Sequence, residues 1–291
     1  MPLAKLDNVS IYYEQAGTGF PLIFAHEFGG SMESWEQQVH YFARRYRVIT
    51  YNARGYPPSD VPADASSYSE DHAVADLHGL LRFLGIDQAY IAGLSMGGTL
   101  ALHFGRKHPE MARTLIIASA GTGSTDPVRF RPQSIALAEQ LEARGIDAMR
   151  DYAAGPTRVQ LRRKDPTGWQ TFADLILQKH SAVGSANTLR GVQAGRRPIF
   201  DYADELKRID IPSLILAGDE DDPCLEPGLF LKRTLPRAGL VVFAQSGHPI
   251  NLEEPGLFNR AIADFLTAVE AGKWGYREQG SGAGFLAERG P

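Results

Sequence analysis

Short apolar runs alternate with helix-period patterns through the first 120 residues, and this alternation constrains the fold more than any other feature of the chain. Pro21 to Ala25 (PLIFA), Arg47 to Tyr51, Ala89 to Leu94 (AYIAGL) and Thr114 to Ala118 (TLIIA) read as strands, with Val9 to Tyr13 (VSIYY) before them. Most of these runs are apolar throughout. A sheet with one wet face alternates apolar and polar residues, so continuous runs imply strands covered on both faces. Between them, Glu33 to Arg44 carries Trp35, Val39 and Phe42 at helical spacing. A second helix starts after Ser69, a candidate cap, with Glu70 and Asp71 at the positive end of its dipole. Val74, Leu77, Leu81 and Leu84 form its apolar stripe, and a third helix runs from Met96 to about Lys107. The expected class is α/β: a mostly parallel sheet flanked by helices.

The rhythm stops after Ser119. Stretches such as Ser134 to Arg144 and Gln170 to Gln178 look helical, with no buried strand among them, and strands resume at Ser213 to Ala217 (SLILA) and Leu240 to Phe243 (LVVF). A last helix is expected around Leu257 to Val269. The predicted organisation is therefore a core of residues 1–123 and 206–270, a helical insertion over 124–205, and a weakly ordered, Gly-rich tail over 271–291.

Composition removes several function classes. The 30 basic and 34 acidic residues are mixed along the chain, so no basic stripe favours a nucleic-acid partner. No stretch approaches the roughly 18 apolar residues of a membrane span, and no signal-peptide core is visible, so a cytoplasmic protein is expected. Cys224 is the single cysteine, which excludes an internal disulfide and a thiolate metal cage. Nothing in the sequence sets an oligomeric state.

Gly93-Leu94-Ser95-Met96-Gly97 fits G-x-S-x-G and lies where a strand must turn sharply into a helix. Such a turn strains the serine backbone and exposes its hydroxyl, and small neighbours are needed because larger ones would collide with strand and helix. The competing reading is a glycine-rich turn that binds an anion at the helix N-terminus. A serine hydroxyl needs a base at neutral pH. Of the eight histidines, His72, His78, His103 and His108 fall on predicted helices and read as solvated or capping residues; His40 and His180 carry no signal. His248, in Gln245-Ser246-Gly247-His248-Pro249, follows the last strand and so shares the sheet edge with Ser95, where open α/β sheets place their sites. The acid that would orient this base lies in Gly218-Asp219-Glu220-Asp221-Asp222-Pro223, whose carboxylates the local pattern does not separate.

With these elements in place the chain resembles the α/β-hydrolase superfamily, its serine-nucleophile members, over nearly all of residues 3–270. Asn52-Ala53-Arg54-Gly55 is similar to the family's D-x-R-G, and Gly247-His248 followed by Glu253-Glu254-Pro255 to its ending. Gly218-x-x-Asp221 is similar to its acid loop, which selects Asp221; a lesser alternative puts the acid after Thr114 to Ala118, at Asp126. The chain order Ser, Asp, His agrees. His26-Glu27-Phe28-Gly29-Gly30 resembles the family's H-G-x-G loop, so the resemblance implies backbone donors to an oxyanion from Phe28 and Met96. His26 would pin that loop. Glu27 departs from the usual glycine and brings a charge beside the loop, and Asn52 with Pro57-Pro58 departs in the arginine loop. The resemblance implies a helical cap over the site, no metal or organic cofactor, and acyl transfer on a small carboxylic ester or lactone. Carbon–carbon hydrolysis of ring-cleavage products, or a non-catalytic ligand receptor, are its alternatives.

Overall fold

A computed structural model describes residues 2–276 of the chain. Its sheet has eight strands: β1 (Leu3–Lys5), β2 (Ser10–Ala16), β3 (Pro21–Ala25), β4 (Arg47–Tyr51), β5 (Ala89–Leu94), β6 (Ala112–Ala118), β7 (Ser213–Gly218) and β8 (Ala238–Phe243). They lie in the order β1-β2-β4-β3-β5-β6-β7-β8. The β1–β2 and β2–β4 pairs are antiparallel, and every other pair is parallel, with Ile23 beside Ile91, Ile91 beside Leu115 and Ile117 beside Ile215.

Strand periodicity explains why the central runs are apolar throughout. Leu22, Phe24, Val48, Ala92, Ile116 and Leu216 point to one face, where Trp35, Phe42, Phe258, Ile262 and Phe265 cover them. Ile23, Ile49, Ile91, Leu115, Ile117 and Ile215 point to the other, under Leu77, Leu80, Leu81, Leu102, Phe104 and Leu231. The first layer is built by α1 (Glu36–Phe42) and the C-terminal helix Pro255–Glu270, the second by α2 (Glu70–Phe83), α3 (Met96–Lys107) and the helix Asp222–Thr234. Ser69 caps α2 by accepting the His72 N–H, and Glu70 and Asp71 occupy its first turn.

The chain leaves β3 for one face and β5 for the other, which opens a crevice at their C-terminal ends. Over that edge lies the segment between β6 and β7. It holds α4 (Pro127–Arg144), α5 (Met149–Ala153), α6 (Val159–Lys164), α7 (Pro166–Lys179), α8 (Ala182–Thr188), a π-helical stretch Leu189–Ala194 and α9 (Ala203–Leu206). Its apolar side chains, Leu141, Met149, Leu161, Phe172 and Ile176 among them, form a third cluster that closes onto Phe28, Tyr56 and Met96 of the sheet edge. The remaining helices are α10 (Asp222–Thr234), α11 (Ile250–Glu253) and α12 (Pro255–Glu270).

Two expectations need correction at this level. His103 is not on a solvated face: it is buried against Tyr202, ring centroids 4.9 Å apart, with Nε2 3.4 Å from Glu70. Within the expected weak tail, residues 271–276 are tied down: Trp274 Nε1 donates to the Arg237 carbonyl at 2.8 Å and Tyr276 OH to Asp210 at 2.7 Å. The rest of that tail lies outside the described residues.

Candidate active site

Ser95 is the residue at which β5 turns into α3, with φ 57° and ψ −109°. A non-glycine residue here costs on the order of 1–3 kcal/mol and persists only where its surroundings force it. They do. The Ser95 N–H donates to the Ala118 carbonyl at 2.8 Å, and its carbonyl accepts the Thr99 N–H at 2.9 Å, so strand and helix begin within one residue of each other. A Cβ on Gly93 would sit 2.1 Å from the Gly97 carbonyl oxygen, and one on Gly97 2.0 Å from that of Ala25. Both obstacles are backbone, which cannot yield. The serine hydroxyl makes no capping bond to α3.

His248 and Asp221 meet although 27 residues separate them: His248 Nδ1 lies 2.8 Å from Asp221 Oδ2. Asp221 follows β7 and His248 follows β8, so the adjacent parallel strands deliver both to one edge. The other acids of the crowded loop are engaged elsewhere. Asp219 accepts the Ser246 N–H at 3.0 Å, Glu220 takes the Gln160 amide at 2.6 Å, and Asp222 opens α10 in solvent. Asp126 caps α4 through the Arg129 N–H. The histidine loop is held from two sides: Gly247 N–H donates to Glu253 at 2.7 Å, and His248 N–H to the Thr157 carbonyl at 2.8 Å.

Burial alone would pull His248 down, but the Asp221 charge and hydrogen bond outweigh it, Glu27 adds to them, and His248 stands above the ordinary histidine range. Burial pushes the Asp221 carboxyl up, yet the His248 charge and the hydrogen bond to His248 outweigh it and hold it below the usual carboxylate range. A histidine that donates from Nδ1 to a carboxylate leaves Nε2 with a free lone pair. Cys224 Sγ is 3.9 Å from His248 Nδ1, and Asp221, Cys224 and His248 are the one group of metal-ligand type found among the described residues. It does not fit a metal as it stands. The two best donors are bonded to each other, and burial together with the Asp221 charge pushes the Cys224 thiol well up, so it stays protonated.

Phe28 follows β3 and is fixed through its carbonyl, which accepts the Tyr56 hydroxyl at 2.9 Å; Met96 directly follows Ser95. His26 bridges two loops: Nδ1 lies 2.7 Å from the Glu27 carbonyl, and Nε2 accepts the Ala53 N–H at 3.0 Å. That fixes its tautomer, and burial holds it below the ordinary histidine range. Asn52 serves the same loops, accepting from Met32 N–H at 2.8 Å and donating to the Pro57 carbonyl at 2.7 Å. Arg54 is spent on a buried pair with Asp76.

Glu27 is the departure the fold puts to use. Its carboxylate is only 2% exposed and faces the site: Oε2 is 2.6 Å from Arg158 Nη2, 3.4 Å from the Tyr152 hydroxyl and 4.0 Å from His248 Nε2. Arg158 also donates to Tyr152 at 2.6 Å and to Thr157 at 3.1 Å, and stacks 4.1 Å from the centre of the Tyr152 ring. Arg158, Tyr152 and Thr157 were invisible to sequence reasoning, because nothing local marks which of the many arginines in the insertion reaches residue 27.

A cavity of about 210 Å³ joins these elements. Ser95, His248, Asp221 and Phe28 line its floor, and Phe130, Gln133, Leu137, Tyr152, Arg158, Leu189 and Gln193 its roof and walls.

Residues 21–255 match the family described as alpha/beta hydrolase fold. The chain is 30% identical over 253 residues to 3-oxoadipate enol-lactonase 2 of Acinetobacter baylyi, covering 83% of this chain and 86% of that protein. It is 29% identical over 276 residues to the 2-hydroxy-6-oxononadienedioate/2-hydroxy-6-oxononatrienedioate hydrolase of Paraburkholderia phymatum, covering 89% and 91%. Among solved structures it is similar to Est816, described as an N-acyl homoserine lactone degrading enzyme, with 28% identity, a TM-score of 0.77 and coverage of 91% and 100%. Sheet order, strand-to-helix turn and sequence match thus agree, and the chain belongs to the α/β-hydrolase family.

Proposed function

We propose that the protein is a serine hydrolase that opens small carboxylic esters or lactones through an acyl-enzyme intermediate, with Ser95 as nucleophile. The observation that carries this reading is the strained Ser95 opening into the same cavity as the buried His248–Asp221 pair. Ser95 Oγ attacks the carbonyl carbon while its proton passes to His248 Nε2. Asp221 keeps Nδ1 protonated and balances the imidazolium. The backbone N–H groups of Phe28 and Met96 receive the oxyanion, a contribution of about 2.7–4 kcal/mol for each such donor elsewhere. As the tetrahedral species collapses, the carbon–oxygen bond to the leaving alcohol breaks and His248 returns the proton to that oxygen. Water, deprotonated by His248, then releases the acid and regenerates Ser95. No step calls on a metal or organic cofactor.

We read the segment 124–205 as a cap that sets the substrate pocket. Its Tyr152, Arg158, Leu189 and Gln193 wall the cavity, and Lys164 to Glu254 (2.5 Å) and Gln160 to Glu220 (2.6 Å) hold it to the core. The ester or lactone assignment is supported by the lactone-directed names of two relatives at 30% and 28% identity. The second reading, carbon–carbon hydrolysis, is favoured by the 29% identical Paraburkholderia relative. A chromogenic panel of acyl esters, lactones and ring-cleavage products, run with wild type and Ser95→Ala, decides between them. Ester or lactone turnover that Ser95→Ala loses is the expected result. Turnover confined to ring-cleavage products would install the second reading, and tight ligand binding with no turnover would make the protein a receptor.

A further inference from the structure

The cavity's only lysine or arginine, among the described residues that line it, is Arg158, and that charge is already answered. Glu27 pairs with it at 2.6 Å, and both side chains are almost wholly buried (2% and 4% exposed). Arg196 lies outside the lining and donates to the Thr122 carbonyl. The remaining charged wall is Asp221, which lies 2.8 Å from His248 Nδ1 and balances that ring when it is protonated. A substrate carboxylate entering here would place a second anion on one guanidinium, beside Asp221 and away from water. Burying an unpaired charge is among the costliest events in a protein interior.

We propose that Glu27 is a specificity-determining residue: by neutralising Arg158 it restricts the cavity to uncharged substrates and rejects esters that carry a second carboxylate. This deepens the hydrolase reading and rests on it for the word "substrate"; the charge preference itself is a property of the cavity. The lining beside Arg158 suits such a ligand. Gln133, Ser134, Thr157 and Gln193 offer neutral hydrogen-bonding groups, while Phe28, Phe130, Leu137 and Leu189 offer apolar contact. An amide- or hydroxyl-bearing acyl chain therefore fits better than a dicarboxylate half-ester.

The probe pair is monoethyl adipate and its ω-amide, which differ by a charge and hardly in shape. Binding is measured by calorimetry on Ser95→Ala protein, so that no turnover intervenes, and then with Glu27→Gln and with Glu27→Gln/Arg158→Met added. The expected preference for the amide is about tenfold or more, equivalent to ~1.4 kcal/mol. Glu27→Gln should erase or invert that preference, because the freed Arg158 then takes the carboxylate. The triple variant should lose this gain. Because Glu27→Gln strands a buried arginine, the triple variant, in which neither charge is left, and the starting protein keep the comparison readable if it unfolds. Equal binding of the two probes without Glu27→Gln, or a preference unmoved by it, overturns the proposal. So does failure of a folded Glu27→Gln protein to bind the half-ester. Turnover of the same esters by protein that keeps Ser95 is scored separately. An intact charge preference without turnover would remove the hydrolase reading and leave this one standing.

Discussion

Replacing Arg158 by methionine keeps much of the side chain's bulk but strands the Glu27 carboxylate, which is 2% exposed and paired at 2.6 Å. Removing one partner of a buried ion pair costs about 3–5 kcal/mol, because the survivor can neither be solvated nor be balanced. Protonation sets a ceiling on the charge part. Neutralising an ordinary glutamate at pH 7 spans about 2.7 pH units at 1.36 kcal/mol each, or about 3.7 kcal/mol, and at pH 5 only about 1 kcal/mol. The lost bonds to Tyr152 and Thr157 add a part of about 1–2 kcal/mol that does not depend on pH. The sign follows from proton counting. At pH 7 the folded variant would hold a proton that its unfolded chain lacks, so acidification favours the fold relative to wild type. Urea unfolding of wild type and Arg158→Met at pH 7 and pH 5 is the assay, with free energies from midpoint and slope. The destabilisation should shrink by about 2.7 kcal/mol between the two pH values. Glu27→Gln/Arg158→Met should recover most of the charge part at pH 7. A loss equal at both pH values, or a double variant no better than the single one, would refute the reasoning and make Arg158 a packing residue only.

Asp221→Asn should reduce kcat by about 10³–10⁴ by spoiling the histidine tautomer, while Asp219→Asn and Asp222→Asn stay within about threefold of wild type; equal losses in steady-state kinetics would sink the assignment of the acid. The acid limb of the kcat/KM profile should lie above that of an ordinary histidine, because Asp221 and Glu27 together raise His248 against burial and Arg158. Glu27→Gln removes the negative charge 4.0 Å from Nε2, so the limb should move to lower pH; a limb that stays put would separate Glu27 from the base. His180, buried edge-on to Tyr56 with ring centroids 5.0 Å apart, is pushed down to about 3 by burial. It therefore stays neutral in the fold while the unfolded chain takes up a proton near 6.5, and stability falls from there toward pH 3 by up to about 1.4 kcal/mol per unit. His180→Phe should remove that share of the acid slope in pH-resolved unfolding, leaving the part due to His103 and His26, which burial also lowers, and an unchanged slope would exclude His180 as a contributor.

The parts of this molecule that were legible in the sequence are those that local chemistry fixes. Ile23 and Ile91 mark strands buried on both faces, so the runs around them could be placed to the residue, while the strand around Ile117 begins at Ala112, two residues before the run read as Thr114 to Ala118; the elbow could be placed because glycine is the only residue its contacts allow at 93 and 97. Edges were harder. Leu3–Lys5 is three residues long and half exposed, too short to show a period. Helix α1 was read as starting at Glu33, whereas Met32–Trp35 is a tighter 3-10 turn. His103 was misread because its helix is buried on more than one side, between β6 and Tyr202. The site divides in the same way. Ser95 and His248 follow from strand ends, whereas the Asp221 contact needs the β7–β8 register to set it apart from Asp219 and Asp222. The sequence marked Glu27 as unusual but not where it points. Its partner is 131 residues away on an insertion whose helical periods say nothing of what they cover.

Covalent trapping tests the central claim most directly. Wild-type protein treated with a p-nitrophenyl acyl ester and quenched in acid within the first turnover should gain the mass of one acyl group, and peptide mapping should place it on Ser95. Ser95→Ala should show neither the adduct nor turnover above about one thousandth of wild type, with its unfolding transition unchanged. An adduct on another residue, or a folded Ser95→Ala protein that still turns over the ester at a comparable rate, would contradict the account.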